Sequence, residues 1–97
     1  MKTKEEILQV LAQQKPWLLE TYQIDRLGIF GSYARGQQTE TSDLDILVDY
    51  VQPPTLWKLV ELRDYLSQLV ALKVDLVTTN GLKPRLRDRV LSEVIYL

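Results

Sequence analysis

The stretch Gly31–Tyr50, GSYARGQQTETSDLDILVDY, decides how the rest of the chain is read. It opens on a small-residue turn directly behind the apolar pair Ile29-Phe30 and closes on an apolar segment interrupted by Asp43, Asp45 and Asp49. From Asp43 to Tyr50 the residues alternate. Leu44, Ile46 and Val48 fall on one side of an extended chain and Asp43, Asp45, Leu47 and Asp49 on the other, the period of two expected of a strand with one dry face. Side chains at i and i+2 of a strand point the same way with Cα atoms about 6.5–7 Å apart. Asp43 and Asp45 can therefore reach one divalent ion, or a pair of ions about 3.5–4 Å apart. Buried without a partner, they would be strongly destabilising. Two readings of the pair are open at this level. Either Asp43 caps the turn after Ser42 while Asp45 meets an arginine such as Arg35, or both aspartates face a cation in a cleft.

The first half of the stretch favours the cleft. A glycine at the end of an apolar strand lets the backbone approach a ligand closely, and the amides and hydroxyl of Ser32 and Tyr33 can donate to a phosphate at the start of a helix. Alone, Gly-Ser is an ordinary turn. Here ten residues, YARGQQTETS, separate it from Asp43-Leu44-Asp45, which opens the next strand. A phosphate cradle and a carboxylate pair are then placed at the ends of adjacent strands, as binding of Mg²⁺-ATP requires.

Working outward, Ile7, Leu8, Val10 and Leu11 recur at helical spacing behind Thr3, an N-cap with Glu6 as its capping-box partner. Pro16 is expected to break this helix near Gln14 and open a short second one over PWLLETY. Ile24, Leu27, Ile29 and Phe30 predict a first strand over IDRLGIF, and Pro53-Pro54 end the second strand. Thr55–Val70 carries Leu56, Leu59, Val60, Leu62, Leu66, Leu69 and Val70 on one helical stripe, and KVDLVT, Lys73–Thr78, predicts a third strand. After the Asn80-Gly81 turn, Pro84 suits a helix first turn, and Leu82, Leu86, Val90 and Val94 predict a last helix to the C-terminus. The pattern implies one α/β (α+β) domain over residues 1–97, a small mixed sheet with helices packed on it.

Composition narrows the chemistry. The chain has 97 residues, 45% hydrophobic and 26% charged, as in an ordinary soluble domain with one modest core. It contains no cysteine and no histidine, which removes disulfides, thiol nucleophiles, the usual zinc sites and imidazole catalysis. Twelve basic and thirteen acidic residues leave a net charge of -1, so no general attraction for nucleic acid or anionic membrane is expected. The N-terminal segment lacks a signal-peptide apolar region and no run reaches membrane-spanning length, which predicts a cytoplasmic protein with no membrane or direct nucleic-acid partner.

The line Gly31-Ser32, ten residues, Asp43-Leu44-Asp45 resembles the signature of the polymerase β-like nucleotidyltransferase superfamily, and FGSYARGQQTETSDLDILVDY is similar to its minimal branch, whose typical line is GSxARGxxxxxSDxDLxV. Only Ile46 departs, standing where leucine is commonest. The resemblance implies the minimal nucleotidyltransferase fold and a third carboxylate on a neighbouring strand, for which KVDLVT supplies Asp75. Beside it stands the plainer reading of Asp75 as an edge-strand charge paired with Lys73. The implied site has Asp43, Asp45 and Asp75 as metal ligands for two Mg²⁺, Asp75 also helping to deprotonate the acceptor. Gly31 and Ser32 would lie on the β- and γ-phosphates of ATP. Arg35 stands where the family has an arginine, to steady a phosphate or the leaving pyrophosphate, although a salt bridge to Asp43 or Glu40 fits it equally. Ser42 is either part of the nucleotide site or only the cap before the strand. Asp49 reads as a solvated charge, Lys83–Arg89 as a solvated or partner-facing helix, and Trp17 and Trp57 as core or interface residues.

Members of this branch are commonly paired with a small helical HEPN toxin. The resemblance therefore implies an antitoxin that transfers AMP from ATP to a tyrosine hydroxyl of its HEPN partner, in a hetero-oligomer. Two alternatives stand beside it: an antitoxin acting by contact alone, and a small-molecule nucleotidyltransferase of the antibiotic-modifying kind.

Overall fold

A computed structural model describes residues 2–97. In chain order the elements are α1 (Lys4–Tyr22), β1 (Ile24–Phe30), α2 (Gly31–Arg35), β2 (Leu44–Tyr50), α3 (Leu56–Val70), β3 (Val74–Thr78), a 3-10 turn (Thr79–Gly81), α4 (Pro84–Glu93) and β4 (Ile95–Tyr96). The sheet runs β3-β2-β1-β4, with β1 antiparallel to both β2 and β4 and β2 parallel to β3. This is the mixed α/β architecture that the alternation and helical stripes imply.

The core lies on one face of the sheet. Leu27 and Ile29 of β1 and Leu44, Ile46 and Val48 of β2 pack with Ile7, Leu11, Leu18 and Tyr22 of α1 and Leu62, Leu66 and Val70 of α3. The spacing of 7, 11, 18 and 22 keeps one face of α1 against the sheet for its whole length. That stripe explains why Pro16 does not break the helix, contrary to the sequence expectation: α1 runs unbroken through it. A proline in a helix interior costs about 3 kcal/mol or more, whereas fully burying a side chain such as Leu18 contributes about 1.5–3 kcal/mol, and Tyr22 adds to it. Pro16 itself is on the exposed side. The helix stops at Gln23, which adopts the left-handed conformation with φ 55°.

Three further differences place the site. In α3 the Thr55 side chain caps the helix by accepting from the Lys58 amide, but the inward stripe is buried only from Leu62 onward; Leu56 and Trp57 are 72% and 81% exposed, so Trp57 is not a core residue. The second face of β2 is not purely polar, because Leu47, paired across to Gly28, is fully buried. Finally α4 ends at Glu93 instead of reaching the C-terminus, and of its apolar residues only Val90 is buried. The β-branched pair Val94-Ile95 turns extended, and Ile95-Tyr96 take the open edge of β1 beside Ile29 and Gly28. Gly28 permits this crossing, since a β-carbon there would meet Val94 Cγ2 at 2.8 Å and the Ile95 carbonyl at 2.9 Å. The Leu97 amide donates to the Leu27 carbonyl at 2.9 Å, and Lys15 Nζ to the Leu97 backbone oxygen at 2.5 Å.

Candidate active site

The strand register gathers the carboxylates. Asp45 pairs with Phe30, the last residue of β1, on one side and with Asp75 of β3 on the other. The Leu44 amide donates to the Lys73 carbonyl at 2.9 Å, which pins the start of β3 to the start of β2. Asp43 stands just ahead of β2, two residues before Asp45, and its charge acts on the Asp45 carboxyl, as does that of Asp75. Asp43 and Asp45 are half-buried and Asp75 is exposed.

Gly31 follows Phe30 at the N-terminus of α2, directly against this edge. Its φ is +75°, in the left-handed region that favours glycine, and a β-carbon on it would overlap the Asp45 carboxylate. The short helix is held firmly: Tyr33 is 1% exposed and Ala34 is also buried, while Gly36 ends it with φ 71° and donates to the Tyr33 carbonyl. Thr39–Ser42 forms the following turn, in which the Ser42 hydroxyl accepts from the Thr39 amide at 2.9 Å. The Ser42 side chain thus closes the turn that leads into Asp43.

Arg35 pairs with neither Asp43 nor Glu40. Its Nη1 lies 3.0 and 3.1 Å from the two carboxylate oxygens of Glu93, and Oε1 of Glu93 also accepts from the Gly31 amide at 3.1 Å. Asp49 is not a free surface charge either. It accepts from Arg26 at 2.8 Å and from the Thr79 hydroxyl at the opposite end of β2. No lysine or arginine forms an ion pair with Asp43, Asp45 or Asp75 among the described residues, which sets aside both the Arg35–Asp45 and the Lys73–Asp75 pairings.

The electrostatics follow from this crowding. Burial, then the Asp75 and Asp43 charges and a hydrogen bond with Asp75, push the Asp45 carboxyl up to about 6, with Arg35 pulling the other way. Glu93 is displaced in the opposite sense: burial would raise it, but hydrogen bonds from Arg35 and the Gly31 amide and the Arg35 and Arg89 charges outweigh burial and hold it below the usual range. Asp43, Asp45 and Asp75 are hard oxygen donors of the kind Mg²⁺ takes. Among the described residues no three acidic groups converge as a ready ligand set. The donor chemistry fits a divalent cation. Uncompensated carboxylates at a strand edge, beside a turn that tolerates only glycine, suit a cation-assisted reaction of a phosphorylated ligand.

Residues 5–97 match the sequence model of the nucleotidyltransferase domain. The chain belongs to that family. It is 45% identical over 97 residues to the protein adenylyltransferase MntA of Thermococcus cleftensis, covering all of this chain and 98% of the relative. A solved structure described as a minimal nucleotidyltransferase superposes with a TM-score of 0.77 at 38% identity, covering 94% of this chain and 95% of the other. The MNT antitoxin solved with a tri-AMPylated HEPN toxin of Shewanella oneidensis shares the fold, with a TM-score of 0.67, 22% identity, and 91% and 69% coverage. The enzyme is accordingly a nucleotidyltransferase acting on a nucleotide substrate. Sequence reasoning missed Glu93, which lies 58 and 62 residues from its partners Arg35 and Gly31. Only its position four residues after Arg89 in a helix leading back to the sheet marked it at all.

Proposed function

We propose that this chain is an antitoxin-type protein adenylyltransferase that moves AMP from ATP to a tyrosine hydroxyl of a HEPN-family toxin and so silences it. The observation that carries nucleotidyl transfer is the register of Asp45 with Asp75 beside the Gly31–Ser32 turn. End-to-end likeness to a protein adenylyltransferase supports a protein acceptor, and the shared fold of an antitoxin whose HEPN partner carries AMP agrees with it.

In this reading Asp43, Asp45 and Asp75 would hold two Mg²⁺, which would supply charge neutralisation at the phosphates and the leaving pyrophosphate. The Gly31–Ser32 turn receives the β- and γ-phosphates, with Arg35 beside it. Asp75, the exposed member of the three, takes the proton from the acceptor hydroxyl. The hydroxyl oxygen bonds to the α-phosphorus as the bond from that phosphorus to the bridging oxygen breaks, and pyrophosphate leaves in line. No histidine is needed.

The test is to incubate the protein with Mg²⁺-ATP and the HEPN protein encoded beside it and to weigh the partner by mass spectrometry. One or more AMP-sized gains with wild type, and none with Asp43→Ala, are expected. No gain with wild type, or an equal gain with Asp43→Ala, would overturn catalysis. Inhibition of the partner that survives in Asp43→Ala would mark an antitoxin acting by contact.

A further inference from the structure

The contact between Glu93 and the α2 turn joins parts of the chain that the nucleotide site needs and parts it does not. Glu93 is the last residue of α4, and the chain beyond it crosses Gly28 and pairs with β1. Its carboxylate accepts at once from the Gly31 amide at 3.1 Å and from Arg35 at 3.0 and 3.1 Å. Both residues border the edge on which Asp45 sits: a β-carbon on Gly31 would overlap that carboxylate, and the Arg35 charge acts on it. The Glu93 side chain is 19% exposed and that of Arg35 35%, and the guanidinium nitrogen Nη1 reaches both carboxylate oxygens.

We propose that Glu93 is a positioning residue for the nucleotide: by holding the Gly31 amide and the Arg35 guanidinium it fixes the phosphate-binding turn in the conformation that receives the triphosphate. The inference rests on the reading of that turn as the phosphate site. Three features support it. Arg35 is the only residue in the last turn of α2 with a cationic side chain, and without Glu93 its flexible guanidinium would have to be ordered by the ligand itself, which lowers affinity. Gly31 has an intrinsically adaptable backbone, and its amide hydrogen bond is the restraint that opposes other conformations. The anchor is itself anchored, because Val94–Leu97 is bound to the edge of β1 directly after it.

The test measures the dissociation constant of the non-hydrolysable ATP analogue AMP-PNP with Mg²⁺ by calorimetry, on the full chain with its partner present, alongside AMP transfer from ATP. Glu93→Ala is expected to weaken AMP-PNP binding about tenfold, equivalent to about 1.4 kcal/mol. Glu93→Gln, which keeps an acceptor for the Gly31 amide but loses the charge facing Arg35, is expected to fall between wild type and Glu93→Ala, and it keeps the test open should the alanine variant not fold. In an Arg35→Ala background the Glu93→Ala change should add less than about threefold, because its effect passes largely through Arg35. A lowered melting temperature with unchanged AMP-PNP affinity in both Glu93 variants would overturn the proposal, leaving a purely structural tie. Tighter AMP-PNP binding would also overturn it, because the carboxylate would then be competing with phosphate for the same donors. Wild type that binds AMP-PNP but transfers no AMP would overturn the proposed function and leave the role of Glu93 in binding standing. A wild type that does not bind AMP-PNP overturns both.

Discussion

Gly31 lies so close to Asp45 that a β-carbon at position 31 would overlap Oδ2 of the aspartate and come within 3.0 Å of its Cγ. The glycine is therefore demanded twice, by its φ of +75° and by the carboxylate in front of it. Gly36, with φ +71°, offers an internal control, because nothing lies within 4 Å of a β-carbon built there.

Gly36→Ala should suffer only the backbone strain, about 1–2 kcal/mol, and keep its AMP transfer. Gly31→Ala should suffer the same strain and also displace Asp45. Moving a reacting group by about 1 Å can cost about a hundredfold in rate, so transfer by Gly31→Ala should fall at least that far. Thermal melts and initial rates of the two variants separate strain from crowding. Equal losses of activity in both would refute the role of the Asp45 contact.

Asp45 is held in an arrangement that favours function over stability. It is half-buried beside Asp75 in register and Asp43 two residues away, with no cationic side chain paired to any of them among the described residues. Asp45→Asn removes one of three like charges at nearly constant shape. In chelator it should raise stability by about 1 kcal/mol, a melting shift of about 4–8 °C for a domain of this size, while abolishing AMP transfer. Adding Mg²⁺ should then raise the melting temperature of wild type more than that of the variant. A variant that melts below wild type in chelator would contradict the crowding argument.

The parts of this architecture readable in the residue order are those whose signal is local. The alternation through Leu44, Ile46 and Val48 marks β2, and the step from Gly31-Ser32 to Asp43 and Asp45 marks where the site forms, because both depend on neighbours a few residues apart. Asp75 was legible only through the family resemblance, and the parallel register of β2 and β3 sets it against Asp45. Three features were out of reach for one reason: each is decided by tertiary contact. Helix α1 continues through Pro16 because Leu18 and Tyr22 have a core to enter. The segment after Glu93 extends because the edge of β1 is open. Arg35 chooses Glu93 over the nearer Glu40 because α4 delivers that carboxylate from 58 residues away.

The strain at Pro16 predicts an unusually simple stabilisation. The residue sits on the exposed side of a continuous helix, where it lacks the amide that would bond to the carbonyl of Ala12. Pro16→Ala restores that bond and removes the steric conflict, gains that together reach about 3 kcal/mol for an unrestrained interior proline. The more flexible unfolded chain takes back about 0.4–1 kcal/mol. A net rise of up to about 2 kcal/mol is expected from urea titration, with AMP transfer unchanged because α1 packs on the face of the sheet away from Asp45. A destabilised variant would mean that the proline shapes α1 in a way its packing needs.

The Glu93 ion pair should appear in the acid limb of stability. Its pKa is lowered in the folded protein, so the folded state binds fewer protons than the unfolded one once pH drops toward the ordinary glutamate value of about 4.3. The stabilisation is therefore fully present above that value and is lost as pH falls through the folded-state pKa beneath it. Glu93→Gln cannot take up a proton and lacks the ion pair throughout. The stability difference between wild type and Glu93→Gln should thus be largest near pH 7 and shrink as pH falls below the ordinary glutamate value, vanishing once the folded-state carboxyl too takes up a proton. Chemical denaturation at pH 7, 5 and 3.5 measures it directly. A difference that stays constant across that range would mean that the charge of Glu93 contributes nothing to holding the α2 turn.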